Sequence, residues 1–152
     1  RHAVVMRTSW VFGAHGQNFI KTMLRLGRER DSLGIVADQY GAPTAAADIA
    51  AALITIVRRY TPEQLAERAG IYHYCGSLYA SWFEFAETIF AEAAAQGVLA
   101  KIPAVKPIAT ADYPTPAKRP ADSRLDCGKI RTVFGIGPCD WHSALSDLRP
   151  YL

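Results

Sequence analysis

The stretch Asp38-Gln39-Tyr40-Gly41-Ala42-Pro43-Thr44 lies between a short apolar run, residues 33–37, and an Ala-rich helical pattern that extends to about residue 60. This order predicts a strand end, a tight polar turn and a helix start. Gly41 allows backbone conformations that a Cβ resists, Pro43 restricts φ, and Thr44 can cap the helix that follows. Because open α/β sheets bind ligands at strand ends, the turn is a candidate binding loop. The alternative is an ordinary connecting turn.

Strand and helix patterns alternate on both sides of this turn, which predicts an α/β fold with parallel strand pairing. The predicted strands cover residues 3–6, 33–37, 71–75 and 102–108, and the predicted helices cover 18–26, 45–60, 61–69, 81–96, 126–134 and 140–148. Asn18, Asp140 and two capping-box residues, Thr61 and Ser81, mark helix starts. No repeat or low-complexity tract interrupts the pattern.

The first strand, residues 3–6, is apolar on both faces, so we expect covering layers and strand neighbours on both sides. A chain that opens on such a strand is expected to start in the middle of a fold. The helix after the turn should bury one stripe of side chains, namely Ile49, Leu53, Ile56 and Val57.

Composition fits one globular domain of 152 residues, half of them hydrophobic. A net charge of +3, from 17 basic and 14 acidic residues, is too small to favour a nucleic-acid or membrane surface. The cysteines, Cys75, Cys127 and Cys139, form no close pair in sequence and fit no zinc module. Their odd number argues against a disulfide framework, so we expect a reducing, cytoplasmic location. No apolar run is long enough to span a bilayer, and no signal peptide opens the chain.

Two further segments contain candidate ligand-binding residues. Thr8, Ser9 and Trp10 follow the first strand directly, where two hydroxyls and an indole could line a ligand crevice. The alternative for Trp10 is an aromatic side chain packed beneath the loop. The stiff segment 114–120 carries Arg119, whose planar guanidinium suits a bidentate phosphate contact. A solvated basic loop is the alternative there. Other aromatic residues are expected in the core: Trp82, Phe83, Phe85 and Trp141.

Several catalytic patterns do not occur in this sequence. No G-x-G-x-x-G dinucleotide motif, nucleophile elbow or metalloprotease pair is present. No tyrosine is followed four residues later by a lysine; Tyr113 comes nearest, with Lys118 five residues away. His73, inside a strand pattern, is expected to be structural rather than a ligand.

A family resemblance emerges from the combined motifs. Residues 7–12 (Arg-Thr-Ser-Trp-Val-Phe), Asn18-Phe19, residues 38–44, the segment 113–120 and Ser123-Arg124-Leu125 resemble dTDP-4-dehydrorhamnose reductases, which are extended short-chain dehydrogenase/reductases. The resemblance runs along nearly the whole chain but covers only the second half of such an enzyme. It implies the last parallel strands of a Rossmann-like sheet within residues 1–60 and a small α/β substrate subdomain over residues 61–152.

The resemblance also implies an activity. An intact enzyme of this family reduces the 4-keto group of a dTDP-linked 6-deoxy sugar with NADPH or NADH, giving dTDP-L-rhamnose for cell-surface polysaccharide such as O antigen. Its dinucleotide turn and its Tyr-x-x-x-Lys pair belong to the first half, so no catalytic residue is expected here. We therefore expect this chain to be inactive alone, to bind a dTDP-sugar but neither nucleic acid nor membrane, and to self-associate, for example as a homodimer. Mg²⁺ at a subunit interface is a further family feature.

Carried over residue by residue, the resemblance implies roles for eight positions. Thr8 and Ser9 would contact the cofactor, and the substrate-binding residues would be Trp10, Asn18, Gln39, Gly41, Pro43 and Arg119. Phe12 stands where the family often has tyrosine, so a hydroxyl contact is lost. Two other functions stay open: a non-catalytic regulatory subunit on the same fold, like the one that partners methionine adenosyltransferase, and a generic nucleotide-sugar-binding module.

Overall fold

The computed structural model describes residues 2–117 and 119–152. Lys118, part of the basic segment discussed above, lies outside the described residues, as does Arg1. The strands are β1 (Val4–Arg7), β2 (Val11–Phe12), β3 (Ser32–Val36), β4 (Tyr40–Gly41), β5 (Thr44–Ala45), β6 (Gly70–His73), β7 (Ala80–Ser81) and β8 (Ala104–Ile108). The α-helices are α1 (Phe19–Glu29), α2 (Ala46–Arg59), α3 (Pro62–Glu67), α4 (Trp82–Ala95), α5 (Gly128–Phe134) and α6 (Trp141–Leu145). Short 3₁₀ helices cover Thr110–Asp112 and Arg149–Tyr151.

The strands of the described residues associate in pairs, and most of the pairs are parallel. β1 pairs with β6 from Val4↔Gly70, and β3 pairs with β8 from Ser32↔Ala104. β2 and β5 form a short parallel pair, and β4 and β7 an antiparallel one. The predicted α/β organisation with parallel pairing is therefore confirmed. The β1–β6 and β3–β8 pairs each join a strand before position 60 to a strand after it. The predicted sheet portion, residues 1–60, and the predicted substrate subdomain, residues 61–152, therefore share these sheets.

Helix starts follow the predicted caps closely. Asn18 caps α1, Thr61 and Ser81 form complete capping boxes at α3 and α4, and Asp140 caps α6. Thr44 departs from its predicted role as a helix cap: Ala45 occupies the N-cap of α2 and gives no side-chain hydrogen bond. Thr44 is instead fully buried. Its hydroxyl donates to the Ala42 carbonyl at 3.0 Å and accepts from the Gly76 amide at 3.3 Å, so both of its hydrogen bonds are used in the fold.

Two hydrophobic clusters hold these elements together. The larger one packs α1, α4 and α6 around buried aromatic and aliphatic side chains that include Phe12, Phe85, Phe90 and Trp141. The smaller cluster packs α2, β6 and α5. Phe85 and Trp141 are core residues, as predicted, whereas Trp82 and Phe83 are only partly buried against the larger cluster.

Two elements, β1 and α2, expose apolar side chains. β1 alternates between partly buried and exposed side chains, and Val5 is 46% exposed, as expected for a strand that opens in the middle of a fold and lacks a covering layer on one side. On α2, the predicted stripe is wrong in part: Ile56 is buried with Ala52, but Leu53 and Val57 are 43% and 69% exposed. The physical reason is that within residues 2–117 and 119–152 no layer packs over the Val5 side of β1 or over the outer side of α2.

Candidate functional site

Three segments that follow parallel strands meet at one edge of the structure. They are residues 8–10 after β1, residues 37–44 after β3, and residues 109–117 and 119–124 after β8. The Thr44 amide donates to the Trp10 carbonyl at 3.1 Å, and the Tyr40 amide donates to the Ala121 carbonyl at 2.8 Å. The parallel pairing of β3 with β8 brings the loops after those two strands together, and the parallel pairing of β2 with β5 places Trp10 beside Thr44. This edge is the candidate functional site.

Trp10 lies at the centre of the site. It adopts a left-handed backbone conformation with φ of 45°, which is uncommon for a non-glycine residue. Its indole stacks on Trp82 with ring centroids 3.6 Å apart and planes 9° apart. The indole N–H donates to the Ser123 hydroxyl at 3.0 Å. The ring is half-buried and fixed on three sides, so it forms a rigid wall whose N–H is already used within the protein.

Gly41 is needed for a different reason from the one the sequence suggests. Its φ is not among the positive values found at four other glycines. The indole of Trp10 lies directly against its Cα: a Cβ at this position would overlap the ring carbon Cε2 and lie 2.5 Å from Nε1. Gly41 therefore serves close packing with Trp10 rather than a special backbone conformation.

The polar side chains of the turn are bound to the segment after β8. The Asp38 carboxylate accepts from the Thr110 amide at 2.9 Å and from the Thr110 hydroxyl at 2.6 Å, and this hydroxyl contact chiefly lowers the pKa of Asp38. Gln39 is 9% exposed, and its amide group donates to the Thr110 hydroxyl at 3.1 Å. The carboxamide oxygen of Gln39 remains as the group that could contact a ligand.

Two more of the predicted residues form the base of the turn. The Ser9 hydroxyl donates to the Ala42 carbonyl at 3.3 Å, and Pro43 is buried. Thr8 is exposed beside them. The predicted set Thr8, Ser9, Trp10, Gln39, Gly41 and Pro43 is therefore brought together at one edge.

Asn18 and Arg119 lie farther from Trp10 in the bonding network. Asn18 accepts from the Lys21 amide at 3.2 Å and donates to the Gly13 carbonyl at 2.7 Å, so its side chain serves the start of α1. Its neighbour Phe19 reaches Trp82, with ring centroids 4.7 Å apart. Arg119 is exposed within the segment that leads to Ser123.

A cationic and aromatic surface adjoins the site. The guanidinium of Arg124 lies 5.8 Å from the ring centre of Tyr40 and 5.6 Å from that of Tyr79. Arg124 also pairs with Asp122 at 2.6 Å, and its hydrogen bonds lower the pKa of the Asp122 carboxyl to about 2. Tyr40 and Tyr79 were not predicted as site residues, because an exposed tyrosine in a loop carries no sequence signal of its own.

Trp82 was also missed as a site residue. Its position in a capping-box helix indicates packing, and only the tertiary structure places its ring on Trp10. Trp10 directly precedes β2 and Trp82 directly follows β7, but nothing in the sequence predicts that the two rings stack. Ser123 belongs to the same group, since it reaches Trp10 across 113 residues of chain.

Two cavities lie away from this edge. One of about 380 Å³ lies between the ends of α1 and α4, and is lined by Gly27, Asp31, Leu99 and Lys101 among others. Another of about 340 Å³ lies under α2 and α3. Neither is lined by a predicted site residue. The strand-end edge is a better candidate site than either cavity, because it gathers hydrogen-bonding groups from several loops, as ligand sites in open α/β sheets do.

Residues 2–117 and 119–152 also bear on metal binding and membrane insertion. Within that part of the chain, no three histidine, cysteine, aspartate or glutamate side chains converge as a metal site. The expected Mg²⁺ thus gains no support from these residues. Among the helices described, none combines the length and the apolar character required to cross a bilayer.

Comparison with known proteins gives a consistent picture. Residues 1–150 match the family model described as the RmlD substrate binding domain. The chain is 52% identical over 149 residues to the dTDP-4-dehydrorhamnose reductase of Aggregatibacter actinomycetemcomitans, covering 98% of this chain and 50% of that protein. It is 38% identical to the corresponding reductase of Escherichia coli K12, over 91% of this chain and 46% of the relative. The chain thus spans about half the length of the curated relatives it matches.

Solved structures agree with these sequence matches. The dTDP-4-dehydrorhamnose reductase of Bacillus anthracis, solved in complex with NADP, superposes with a TM-score of 0.78 at 33% identity, over 93% of this chain and 46% of the other. The orthologue from Clostridium acetobutylicum gives 0.78 at 32% identity, over 94% and 46%.

Proposed function

This chain belongs to the RmlD substrate-binding domain family, and we propose that it supplies the sugar-nucleotide wall of a dTDP-4-dehydrorhamnose reductase. The observation that carries the proposal is the convergence of three strand-end loops on Trp10, whose ring is fixed by Trp82, Ser123 and Gly41. A residue held in an uncommon backbone conformation at such an edge is typical of a preorganised ligand site. The similarity to reductases of that name supports the same conclusion.

The reaction proposed for the intact enzyme is reduction of a 4-keto sugar. A hydride from NADPH or NADH is transferred to C4 of dTDP-4-dehydro-6-deoxy-L-mannose, and a proton goes to the carbonyl oxygen, giving dTDP-L-rhamnose and the oxidised cofactor. A tyrosine whose pKa is lowered by a lysine would donate that proton. Both groups, and the dinucleotide turn, would lie on the rest of the enzyme, so residues 1–152 alone would not catalyse the reaction.

Within this scheme each predicted residue receives a role. Thr8 and Ser9 would face the nicotinamide end of the cofactor, because they directly follow β1. Trp10 would present the edge of its ring to the deoxy sugar, since its N–H is engaged by Ser123. Gln39 would offer its carboxamide oxygen, with Gly41 and Pro43 as the buried support of the wall. Asn18 would act mainly by positioning α1, and Arg119 would contact the diphosphate.

Titration calorimetry of this chain tests the proposal. We expect dTDP-rhamnose and dTDP to bind while NADPH does not, because the main dinucleotide motif is absent from the sequence. Equal binding of dTDP and UDP would favour a generic nucleotide module instead. Turnover of the keto sugar by the 152-residue chain alone would contradict the division of roles, and binding of neither dTDP ligand would contradict the proposed wall.

Arg119→Ala in the intact enzyme is expected to weaken dTDP-sugar binding. Loss of a charge-assisted hydrogen bond to phosphate costs roughly 1.5–3 kcal/mol, which corresponds to about a ten- to hundredfold rise in Kd. The change should appear in KM and in direct binding of dTDP. Arg149→Ala is the matched control, because Arg149 is an exposed arginine paired with Asp147 near the carboxyl end. Equal Kd values for both variants and the parent would remove Arg119 from the site.

We also propose that this chain self-associates. β1 has β6 as its one strand partner within the described residues, and Val5 and Ile71 are 46% and 45% exposed on that pair. An open strand edge beside exposed apolar side chains favours pairing with another molecule. Sedimentation velocity of the isolated chain should therefore show dimers or larger species. A monomer whose β1 amides resist hydrogen exchange would contradict this. We also propose a cytoplasmic location for the intact protein, because the three cysteines of this chain are free.

A further inference from the structure

Cys75 and Cys127 are brought together by the fold, although 52 residues separate them in sequence. Their sulfur atoms lie 3.6 Å apart, and all three cysteines of the chain are free. Cys75 follows β6 and is buried, whereas Cys127 precedes α5 and is partly exposed. The expectation that no two cysteines pair closely therefore holds for their sequence spacing but not for their positions in space.

The surroundings of the two thiols define a small polar site. The Cys75 thiol donates to the Leu125 carbonyl at 3.4 Å, and the same carbonyl accepts the Tyr79 hydroxyl at 2.9 Å. Cys127 also approaches that carbonyl, with its sulfur 3.8 Å away. These contacts hold residues 121–127, which carry Ser123, against the end of β6.

We propose that Cys75 and Cys127 form a peroxide-sensitive dithiol that closes to a reversible disulfide and thereby ties residues 121–127 to the end of β6. A disulfide requires its sulfurs at about 2.05 Å, so rotation of side chains already in contact has to close a gap of about 1.6 Å. Disulfides inside reducing compartments are generally transient or redox-sensing rather than structural. The site is independent of which ligand the neighbouring loops bind.

The chemistry requires a hydroperoxide as oxidant. The Cys127 thiolate, the more accessible of the two, attacks one peroxide oxygen, the O–O bond breaks, and the departing hydroxide is protonated to water. The Cys75 sulfur then attacks the sulfenic sulfur of Cys127, the S–O bond breaks, and the hydroxide leaves as water with the Cys75 proton. Two thiols lose two electrons in total, and one hydrogen peroxide is reduced to two waters. Burial raises the pKa of the Cys75 thiol to about 12, so Cys75 is the less reactive of the two towards peroxide and reacts second, with the sulfenic sulfur already beside it.

Cys139 provides a matched control within the same chain. It is buried near Cys75, and its amide donates to the Cys75 carbonyl at 3.2 Å. Burial and the nearby Asp48 carboxylate raise the pKa of Cys139 to about 11. Its sulfur therefore lies in a different environment from the Cys75–Cys127 pair, and its removal should leave that pair intact.

The test uses the full-length protein that contains this chain. It is treated with hydrogen peroxide, alkylated and digested without reductant, and the peptides are mapped by mass spectrometry. We expect a Cys75–Cys127 cross-linked peptide, lighter by about 2 Da than the sum of the two thiol peptides, in the parent and in Cys139→Ser. Dithiothreitol should remove it, and Cys127→Ser should lack it. Oxidation should also raise Tm by about 5 °C in the parent and in Cys139→Ser, because the bond closes a long loop.

Several results of this experiment would contradict the proposed disulfide. Conversion of Cys127 to a sulfinic acid without a cross-link, a Cys75–Cys139 bond, or thiols that stay reduced would each overturn the proposal. Cross-linking with no rise in Tm would overturn the inferred tie between residues 121–127 and β6. Because Cys127 is only partly buried, Cys127→Ser should fold, and a parent-like Tm of its untreated form would show this. None of these outcomes depends on dTDP-sugar binding, so failure here is distinguishable from failure of the proposed function.

Discussion

Replacement of Gly41 by alanine is expected to weaken both the fold and the proposed dTDP-sugar site. The new Cβ would overlap Cε2 of the Trp10 indole, so the ring would have to leave its place between Gly41 and Trp82. That movement breaks the stack on Trp82 and the hydrogen bond to Ser123. Overpacking of this kind costs about 2–3 kcal/mol. We expect the free energy of unfolding in urea to fall by that amount and dTDP-rhamnose binding to weaken at least about tenfold.

Gly137→Ala is the control for this substitution. Gly137 has no heavy atom within 4 Å of an added Cβ, and its φ is not positive. Its replacement should leave both stability and ligand binding unchanged within about 0.5 kcal/mol. Tryptophan fluorescence offers a second measurement, because displacement of Trp10 from Trp82 changes the environment of both indoles. A Gly41→Ala protein as stable as Gly137→Ala, with parental fluorescence, would show that the close contact is not needed.

Gly76→Ala is expected to have the largest effect on stability. A Cβ at this position would overlap the carbonyl oxygen of Pro43 and lie 2.9 Å from Cδ1 of Trp141. The Pro43 carbonyl is backbone, so the clash cannot be relieved by rotating a side chain. Relief requires the turn after β3 to separate from the end of β6, which also breaks the hydrogen bond from the Gly76 amide to the Thr44 hydroxyl. We expect a loss of at least about 3 kcal/mol.

Urea unfolding followed by circular dichroism measures this loss, again with Gly137→Ala as the reference. Thr44→Val separates the two contributions, because it removes the hydrogen-bonding hydroxyl but retains the buried volume. Its cost should be smaller, about 1–2 kcal/mol. If Gly76→Ala proved no more destabilising than Thr44→Val, the steric explanation would be wrong.

Much of the local structure could be predicted from sequence because its causes are local. Asn18, Thr61, Ser81 and Asp140 cap helices through bonds to residues two or three positions away. Such signals do not depend on the rest of the fold. The alternation of strands and helices, and hence the parallel pairing, follows from periodicity that is also local.

The failures of the sequence prediction have a common cause. Thr44 was expected to cap α2, but its hydroxyl instead bonds to Gly76, a residue 32 positions away. Leu53 and Val57 were expected in the core but are exposed. Periodicity shows which face of a helix is apolar, but only tertiary packing decides whether another layer covers it.

The sequence by itself determined the α/β class, four of the helix starts (α1, α3, α4 and α6) and the family of this protein, because capping bonds, periodicity and short motifs are properties of neighbouring residues. Only the tertiary structure decided that Trp10 stacks on Trp82 and bonds to Ser123, that Gly41 makes room for the indole, and that Cys75 meets Cys127. These contacts join residues that are distant in the chain. The β3–β8 and β2–β5 pairings bring the strand-end loops to one edge, and the β4–β7 pairing places Trp82 beside them.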